Sequence, residues 1–513
     1  MRARRRSLTV LVLLAVAALT VPASAGTKQP EGFLTQVKPY VVGVGDAYQV
    51  QPLLSVGDQV PLTGGQGRYQ MVGTPDGLGA HTSKGGTVTV YMNHEFEGEE
   101  RSEPIVGGPL NRGALVSKLE LARDGSVLSG DRAYDTVYQE NQLVGPAAEE
   151  GNATRPFYQF CSGYLAGPHV GFDRYMYFAN EEEGIDPEDP QDPGTFDPRG
   201  GQAVAIFDNQ AHALPRLGFF AHENSVVQPG TGRRTVIMGM EDGPSTPDSQ
   251  LYLYVGWKDR EAKSALGRNG LDNGKLYVFA STDPARNSEA TFTKGSIPGR
   301  WVHLPNAERL DAVELEEAAD RAGAFGFIRI EDGAFSRTHD NDYAFDTTGS
   351  DYTAAGEPVN ELGRIYRLRL NPRNPLGPAR LQVISNNDQV VAAGADTAIS
   401  PDNVDTSRRY LMVNEDATTE GRAYLAGAGR DASIWRFDLA NGYARERVAE
   451  LDPPGRDGIA VPPGSWETSG IINTSAQFGR DTWLTDVQAH APTTPPAPNT
   501  VEDGQLLLLR PNH

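Results

Sequence analysis

A single cysteine, Cys161, stands in a chain of 513 residues. That excludes an intramolecular disulfide framework and any cysteine-rich zinc site. Basic residues are also scarce, with 46 Lys and Arg against 67 Asp and Glu and a net charge of −21. Four of the arginines (Arg2, Arg4, Arg5 and Arg6) lie in an acid-free leader, so the remainder is more acidic still. Such a surface repels nucleic acid and anionic lipid and suits divalent cations, so no nucleic-acid partner is expected. The one long apolar stretch runs from Leu8 to Val21. As a helix it would rise about 21 Å, short of the ~30 Å of a bilayer core, so no membrane span is expected. Helical periodicity is rare. Gly-x-Ser-x-Gly, His-Glu-x-x-His, the Walker-type Gly-x-x-x-x-Gly-Lys and a helix-opening Gly-x-Gly-x-x-Gly are all missing.

The leader has an arginine-rich start, an apolar stretch and Ala23-Ser24-Ala25, the pattern of a cleaved signal peptide over residues 1–25. Arg5-Arg6-Ser7-Leu8 fits either an ordinary secretory start or a twin-arginine signal. The product is expected to be soluble and to act outside the cytoplasm, with residues 26–513 forming a single domain. Glycine (57 residues) and proline (36) punctuate many short apolar runs, which indicates an all-β chain.

Two elements recur along it. One is an apolar strand running into acid: Val88–Glu97, Tyr175–Glu183, Thr235–Asp242 and Tyr410–Asp416, with Trp483–His490 as a weaker copy. The other is a strand opening on a small residue, as in Gly113–Leu121, Gly201–Phe207, Gly274–Phe279, Gly363–Leu370, Ser433–Leu439 and Gly504–Arg510. The acidic ends fall at Glu95, Glu181, Glu241, Glu331, Glu415 and Asp486, at intervals of 60 to 90 residues. Repeated β-units of this kind predict a β-propeller, here of six blades with long inserted loops; a pair of β-sandwiches is the alternative. Gly184–Gly201 and the helical stretch Asp311–Arg321 read as such inserts.

One acid per blade would ring the central channel. Inward carboxylates repel unless a cation lies between them, so these acids are candidate metal ligands. Cys161 reads either as a small buried hydrophobe or as a thiolate ligand for a transition metal. His94 and His222 precede Glu95 and Glu223, and each pair reads as a ligand pair or as a satisfied histidine beside an acid. Arg329 and Glu331, two apart on a strand, share a face. The arginine could grip phosphate or carboxylate in a bidentate fashion, or simply pair with a neighbouring acid.

These residues resemble the PhoX-type alkaline phosphatases, a family of secreted, metal-dependent phosphatases, over nearly the whole mature chain. The resemblance rests on Thr74-Pro75-Asp76-Gly77-Leu78-Gly79, Asn93-His94-Glu95, Cys161-Ser162-Gly163, Glu181-Glu182 and Phe220-Ala221-His222-Glu223. It continues through Glu241-Asp242, Leu271–Tyr277, Arg329-Ile330-Glu331-Asp332-Gly333, Pro401-Asp402-Asn403 and Glu415-Asp416. It implies a six-bladed propeller whose channel holds an iron and calcium cluster. Cys161 would be an iron ligand, Arg329 the phosphate clamp and Glu331 a calcium ligand. The metal set expected on both grounds is Glu95, Cys161, Glu181, Glu223, Glu241, Glu331 and Glu415. The expected partner is a small-molecule phosphate ester, met by a monomer. The chain departs from the family pattern at Phe160, at Tyr164 and over Leu165-Ala166-Gly167-Pro168-His169, which marks a divergent member. A metal-stabilised binding module, or an esterase or phosphodiesterase, is the alternative.

Overall fold

The computed structural model describes residues 32–184, 194–243, 248–416, 419–452, 461–490 and 496–512. The expected signal peptide lies outside them, as does much of the Gly184–Gly201 insert. Six strands, Pro75–Thr82, Phe160–Ala166, His222–Val227, Ile330–Phe335, Pro401–Thr406 and Glu467–Asn473, each open an antiparallel meander. Each touches the next, and the sixth touches the first, so together they close a ring. The molecule is the six-bladed propeller that the repeats predict.

In each blade the inner strand pairs with a second strand, Val88–His94, Met176–Glu181, Arg234–Glu241, Asp342–Thr347, Tyr410–Glu415 or Trp483–Ala489. Four of these run into acid as expected, whereas Asp342–Thr347 does not, Glu331 lying instead at the start of the fourth inner strand, and Asp486 falls within the sixth second strand. These second strands are sandwiched between blades and read as near-continuous apolar runs, as strands covered on both faces must. Val88, Val90 and Met92 of the first blade, for instance, share a core with Leu484, Leu506 and Leu508 of the sixth. Inner strands instead carry small and polar residues, because six of them converge where space is limited. Farther out, strand Leu115–Leu121 alternates buried and half-buried positions from Ser117 onward, as a strand does with one face toward solvent.

The ring is closed by a strand from the other end of the chain. Tyr48–Ser55 pairs antiparallel with Asp503–Pro511 and so completes the sixth blade. The third and fourth blades are joined at their outer edges through Ser296–Leu304, which pairs with both Lys275–Ser281 and Ala379–Asn386 to give a nine-stranded sheet. Helix Ala312–Ala322 packs on Ser296–Leu304, burying Leu315 and Ala319, and begins with a capping box between Asp311 and Glu314.

One irregularity recurs six times and builds the site. At the start of each inner strand the ladder slips, so that two residues face one on the second strand. The bulged pairs are Asp76-Gly77, Cys161-Ser162, Glu223-Asn224, Glu331-Asp332, Asp402-Asn403 and Ser469-Gly470. A bulge bends its strand and re-aims a side chain. Here six of them do so around one axis.

Candidate metal centre

The first residues of the six bulges form one ring: Asp76, Cys161, Glu223, Glu331, Asp402 and Ser469. A second ring comes from the residue just past the turn-side end of each second strand. In five blades its backbone N–H donates to the carbonyl two residues before the bulge: Glu95 to Thr74, Glu182 to Gln159, Asp242 to Ala221, Thr348 to Arg329 and Asp416 to Ser400, at 3.0–3.1 Å. Gln488 holds the same place in the sixth. Four of those entry residues, Thr74, Gln159, Arg329 and Ser400, have positive φ between 37° and 57°. Non-glycine residues seldom adopt that backbone, and it tends to be kept at sites of function.

The two rings interlock. Ligand-capable atoms of Asp76, Glu95 and Cys161 lie within 4.8 Å of one another, as do those of Cys161, Glu182 and Glu223, of Glu182, Asp242 and Glu331, and of Glu223, Glu331 and Asp402. Four overlapping groups thus form one continuous patch. Asp76 and Glu223 are fully buried, and Cys161, Glu331 and Asp402 nearly so. Among the described residues, both carboxylate oxygens of Glu223 and one of Asp402 meet no close hydrogen-bond donor.

Electrostatics registers that crowding. Burial, then the charge of Asp76, raises the Glu95 carboxyl to about 8, and burial raises Asp76 to about 6. Glu182, Glu223, Glu331 and Asp402 are pushed well up by burial first and by neighbouring carboxylates second. The Cys161 thiol rises for the same two reasons, with Asp76 the nearest charge. Buried acids with unpaired oxygens and no matching base are costly as anions unless cations balance them.

Neutral amides hold the patch in place. Gln488 Nε2 donates to Glu95 at 2.7 Å and to Asp76 at 3.2 Å. Asn403 Nδ2 bonds Ser162 Oγ at 2.7 Å, and Asn224 Nδ2 bonds Asp332 at 2.6 Å. The Cys161 thiol donates to Asp76 at 3.2 Å. Glycine is required at Gly77, where a Cβ would stand 2.3 Å from the backbone nitrogen of Gly163 and 2.6 Å from the carbonyl oxygen of Cys161. The first two bulges meet backbone to backbone, which sets Cys161 against Asp76.

Of the residues expected from sequence, the structure brings Glu95, Cys161, Glu223 and Glu331 together. It turns Glu181, Glu241 and Glu415 away, on the opposite face of their strands. Glu181 accepts from the backbone N–H groups of Tyr158 and Phe196, at 3.1 and 2.7 Å. Glu241 accepts from the backbone of Gln250 at 2.7 Å. Glu415 is held by Arg430 at 2.7 and 2.8 Å and by Trp435 Nε1 at 2.9 Å. Their neighbours Glu182, Asp242 and Asp416 take the inward places, because successive side chains of a strand point to opposite faces. Asp76 and Asp402 also join.

His94 is a satisfied core histidine: Nδ1 contacts the Gly73 carbonyl at 2.8 Å and Nε2 contacts Ser117 Oγ at 2.7 Å. His222 stacks on Phe220 and contacts the Gly218 carbonyl at 3.2 Å. Burial lowers them to about 4 and about 3 respectively, so both are neutral. Arg329 stands beside the patch with 29% of its side chain exposed. Its Nε and Nη2 form a fork on Asp242 at 2.9 and 2.8 Å, and Nη2 lies 3.4 Å from Glu331. A cavity of about 830 Å³ runs along the downstream halves of the inner strands, from Gly163, Asn224 and Asp332 to Arg337, Arg408 and Arg480. None of the clustered ligand-capable residues lines it.

The molecule is therefore a β-propeller with a thiol-containing carboxylate cluster around its axis. Residues 206–458 match the family model described as alkaline phosphatase PhoX, consistent with a PhoX-type member. Pseudomonas fluorescens PhoX, solved in complex with the transition-state analogue vanadate, is 17% identical and shares the fold over 94% of this chain and 97% of that one, with a TM-score of 0.66. The GH93 α-L-arabinofuranosidase of Fusarium graminearum, solved with arabinobiose, is 12% identical and covers 90% of this chain and 98% of that one. Its TM-score is 0.36. Among curated proteins no sequence matches the chain.

Proposed function

We propose that the chain is an exported metal-dependent phosphatase that hydrolyses phosphate monoesters at an iron and calcium cluster in the propeller channel. The observation that carries this reading is the pair of interlocked rings, in which buried carboxylates outnumber every balancing base. The donor set fits those metals. Asp76, Glu95, Glu182, Glu223, Asp242, Glu331 and Asp402 offer oxygen, which suits calcium, and Cys161 offers the one sulfur, which suits iron. Such ions supply Lewis-acid polarisation of the phosphoryl oxygens and a nucleophilic oxygen at neutral pH.

The chain's own residues do the rest. Gln488 and Asn403 fix the carboxylate of Asp76 and the hydroxyl of Ser162. Arg329 offers a planar fork of the width of two phosphoryl oxygens, held at the rim by a left-handed backbone. The same fork now rests on Asp242. A carboxylate drawn to a cation would release it to the substrate, whose charge it would then stabilise. The vanadate bound by Pseudomonas fluorescens PhoX supports a phosphoryl-binding role for the shared fold. Export rests on the leader and on family habit, with Arg5-Arg6 fitting the twin-arginine route. Among the described residues no helix is long and apolar enough to cross a membrane. A small-molecule ester and a monomeric enzyme complete the reading.

The Arg329–Asp242 pair favours one second reading, a metal-stabilised binding module in which that arginine is structural. Cys161→Ser tests the reading from the metal side. A serine hydroxyl is a far poorer iron ligand than a thiolate, and the two side chains are nearly equal in size. Iron content and phosphomonoesterase turnover are expected to fall together, with the melting temperature of the calcium-loaded protein little changed. Full iron and full turnover in the variant would leave Cys161 as a packing residue.

A further inference from the structure

We propose that Asp248, Glu316 and Asp320 hold a calcium ion of their own, away from the axis, which ties helix Ala312–Ala322 to the turn before strand Leu251–Trp257. Ligand-capable oxygens of the three lie within 4.8 Å of one another. No arginine or lysine pairs with any of them among the described residues. Glu316 and Asp320 sit four apart on the helix, the spacing at which like charges face and repel. A third carboxylate arriving from another element makes that arrangement worse unless a cation joins the three.

Two buried groups point to the same ion. Gln250 is 1% exposed, and its Nε2 donates to Asp248 at 2.9 Å and to Glu316 at 3.1 Å, while its Oε1 finds no partner among the described residues. A half-turn of that amide exchanges the two atoms and presents an oxygen to the three carboxylates. Among the described residues the fully buried hydroxyl of Tyr252 meets no close hydrogen-bond partner, and Glu241, Glu316 and Asp320 are its charged neighbours. Oxygen-only donors from both flexible and fixed elements suit calcium, which takes six to eight oxygens in loose geometry. Magnesium demands a near-ideal octahedron, whereas a loose set of carboxylate and amide oxygens is what calcium accepts.

The site borders the functional residues without sharing any. Glu241 faces this side of its strand and Asp242 faces the axis. Next to Asp248, Ser249 exchanges backbone hydrogen bonds with Phe327 at 2.9 and 3.1 Å, and its hydroxyl accepts from the Arg329 N–H at 3.1 Å. An ion here would steady the segment that presents Arg329.

The test counts calcium by elemental mass spectrometry in full-length protein, gel-filtered after equilibration with calcium chloride. It compares the wild type with Asp320→Asn and with Glu316→Gln/Asp320→Asn. Asp320 is exposed, so the single variant carries little risk to folding. Each variant is expected to hold about one calcium fewer per chain and to lose part of the rise in melting temperature that calcium gives the wild type. Equal counts and equal rises in all three proteins would overturn the proposal. Because the readout is a difference from the wild type in calcium alone, it stands or falls apart from the phosphatase reading, whose failure would show in turnover.

Discussion

Arg329→Lys is expected to leave melting and metal content near native while phosphomonoesterase turnover falls by about tenfold or more, toward the ~10²–10³ typical of losing one preorganised transition-state contact. Lysine keeps the charge and inherits the same left-handed backbone, so the exchange isolates the head group. What is lost is the fork, which in this structure meets both oxygens of Asp242 and which the proposed reaction turns toward two phosphoryl oxygens. If Arg329 serves only as a structural partner of Asp242, an ammonium at the same place keeps the attraction and turnover barely changes. Steady-state rates measured beside a thermal melt separate these outcomes. Wild-type turnover would take Arg329 out of the active site and favour the binding module.

Removal of metal is the larger perturbation. A chelator is expected to abolish turnover and lower the melting temperature well beyond any single substitution, since an ion held only by the folded state contributes about 2.7 kcal/mol when it is free at a hundred times its Kd. The four interlocked groups imply more than one ion. The stripped protein should also acquire a pH dependence of definite sign. Glu95 is held up to about 8 and Asp76 to about 6, so each keeps its proton in the fold at pH values where the unfolded chain has lost it. Stability from these groups is present below the ordinary carboxylate range and is lost as pH rises through the folded values of about 6 and about 8. Melting of the stripped protein should therefore fall across that window, and reloading with metal should remove the fall. An unchanged melting temperature after verified removal counts against any central cation cluster.

Much of this was legible in the sequence. Strands running into acid mark the first, second, third and fifth blades, Glu331 and Asp486 mark the fourth and sixth from the start and the middle of a strand, and the small-residue openings mark the strands outside them. Glu95, Cys161, Glu223 and Glu331 could be picked out because each stands at a strand boundary. What the acid doublets conceal is parity. In Glu181-Glu182, Glu241-Asp242 and Glu415-Asp416 one member faces the axis and the other an outer network, and a one-residue shift exchanges them. A signal for the choice existed. Asn93, Asn180 and Asn414 stand two residues before Glu95, Glu182 and Asp416, on the same face. Asn93 and Asn180 donate to the Ser162 carbonyl at 3.2 and 3.0 Å, and Asn414 donates to the Ser469 carbonyl, so the asparagine marks the inward side. The bulges themselves were not legible. They depend on a ladder slip that only pairing defines, and Asp76 and Asp402 enter the patch through it.

The central claim is that the interlocked rings hold catalytic metals, and it is tested most directly by elemental analysis of the purified protein alongside hydrolysis of a generic phosphomonoester. Iron and calcium bound together, with turnover that disappears on their removal and returns on reloading, is the predicted result. Calcium alone without turnover, or no bound metal at all, would contradict it.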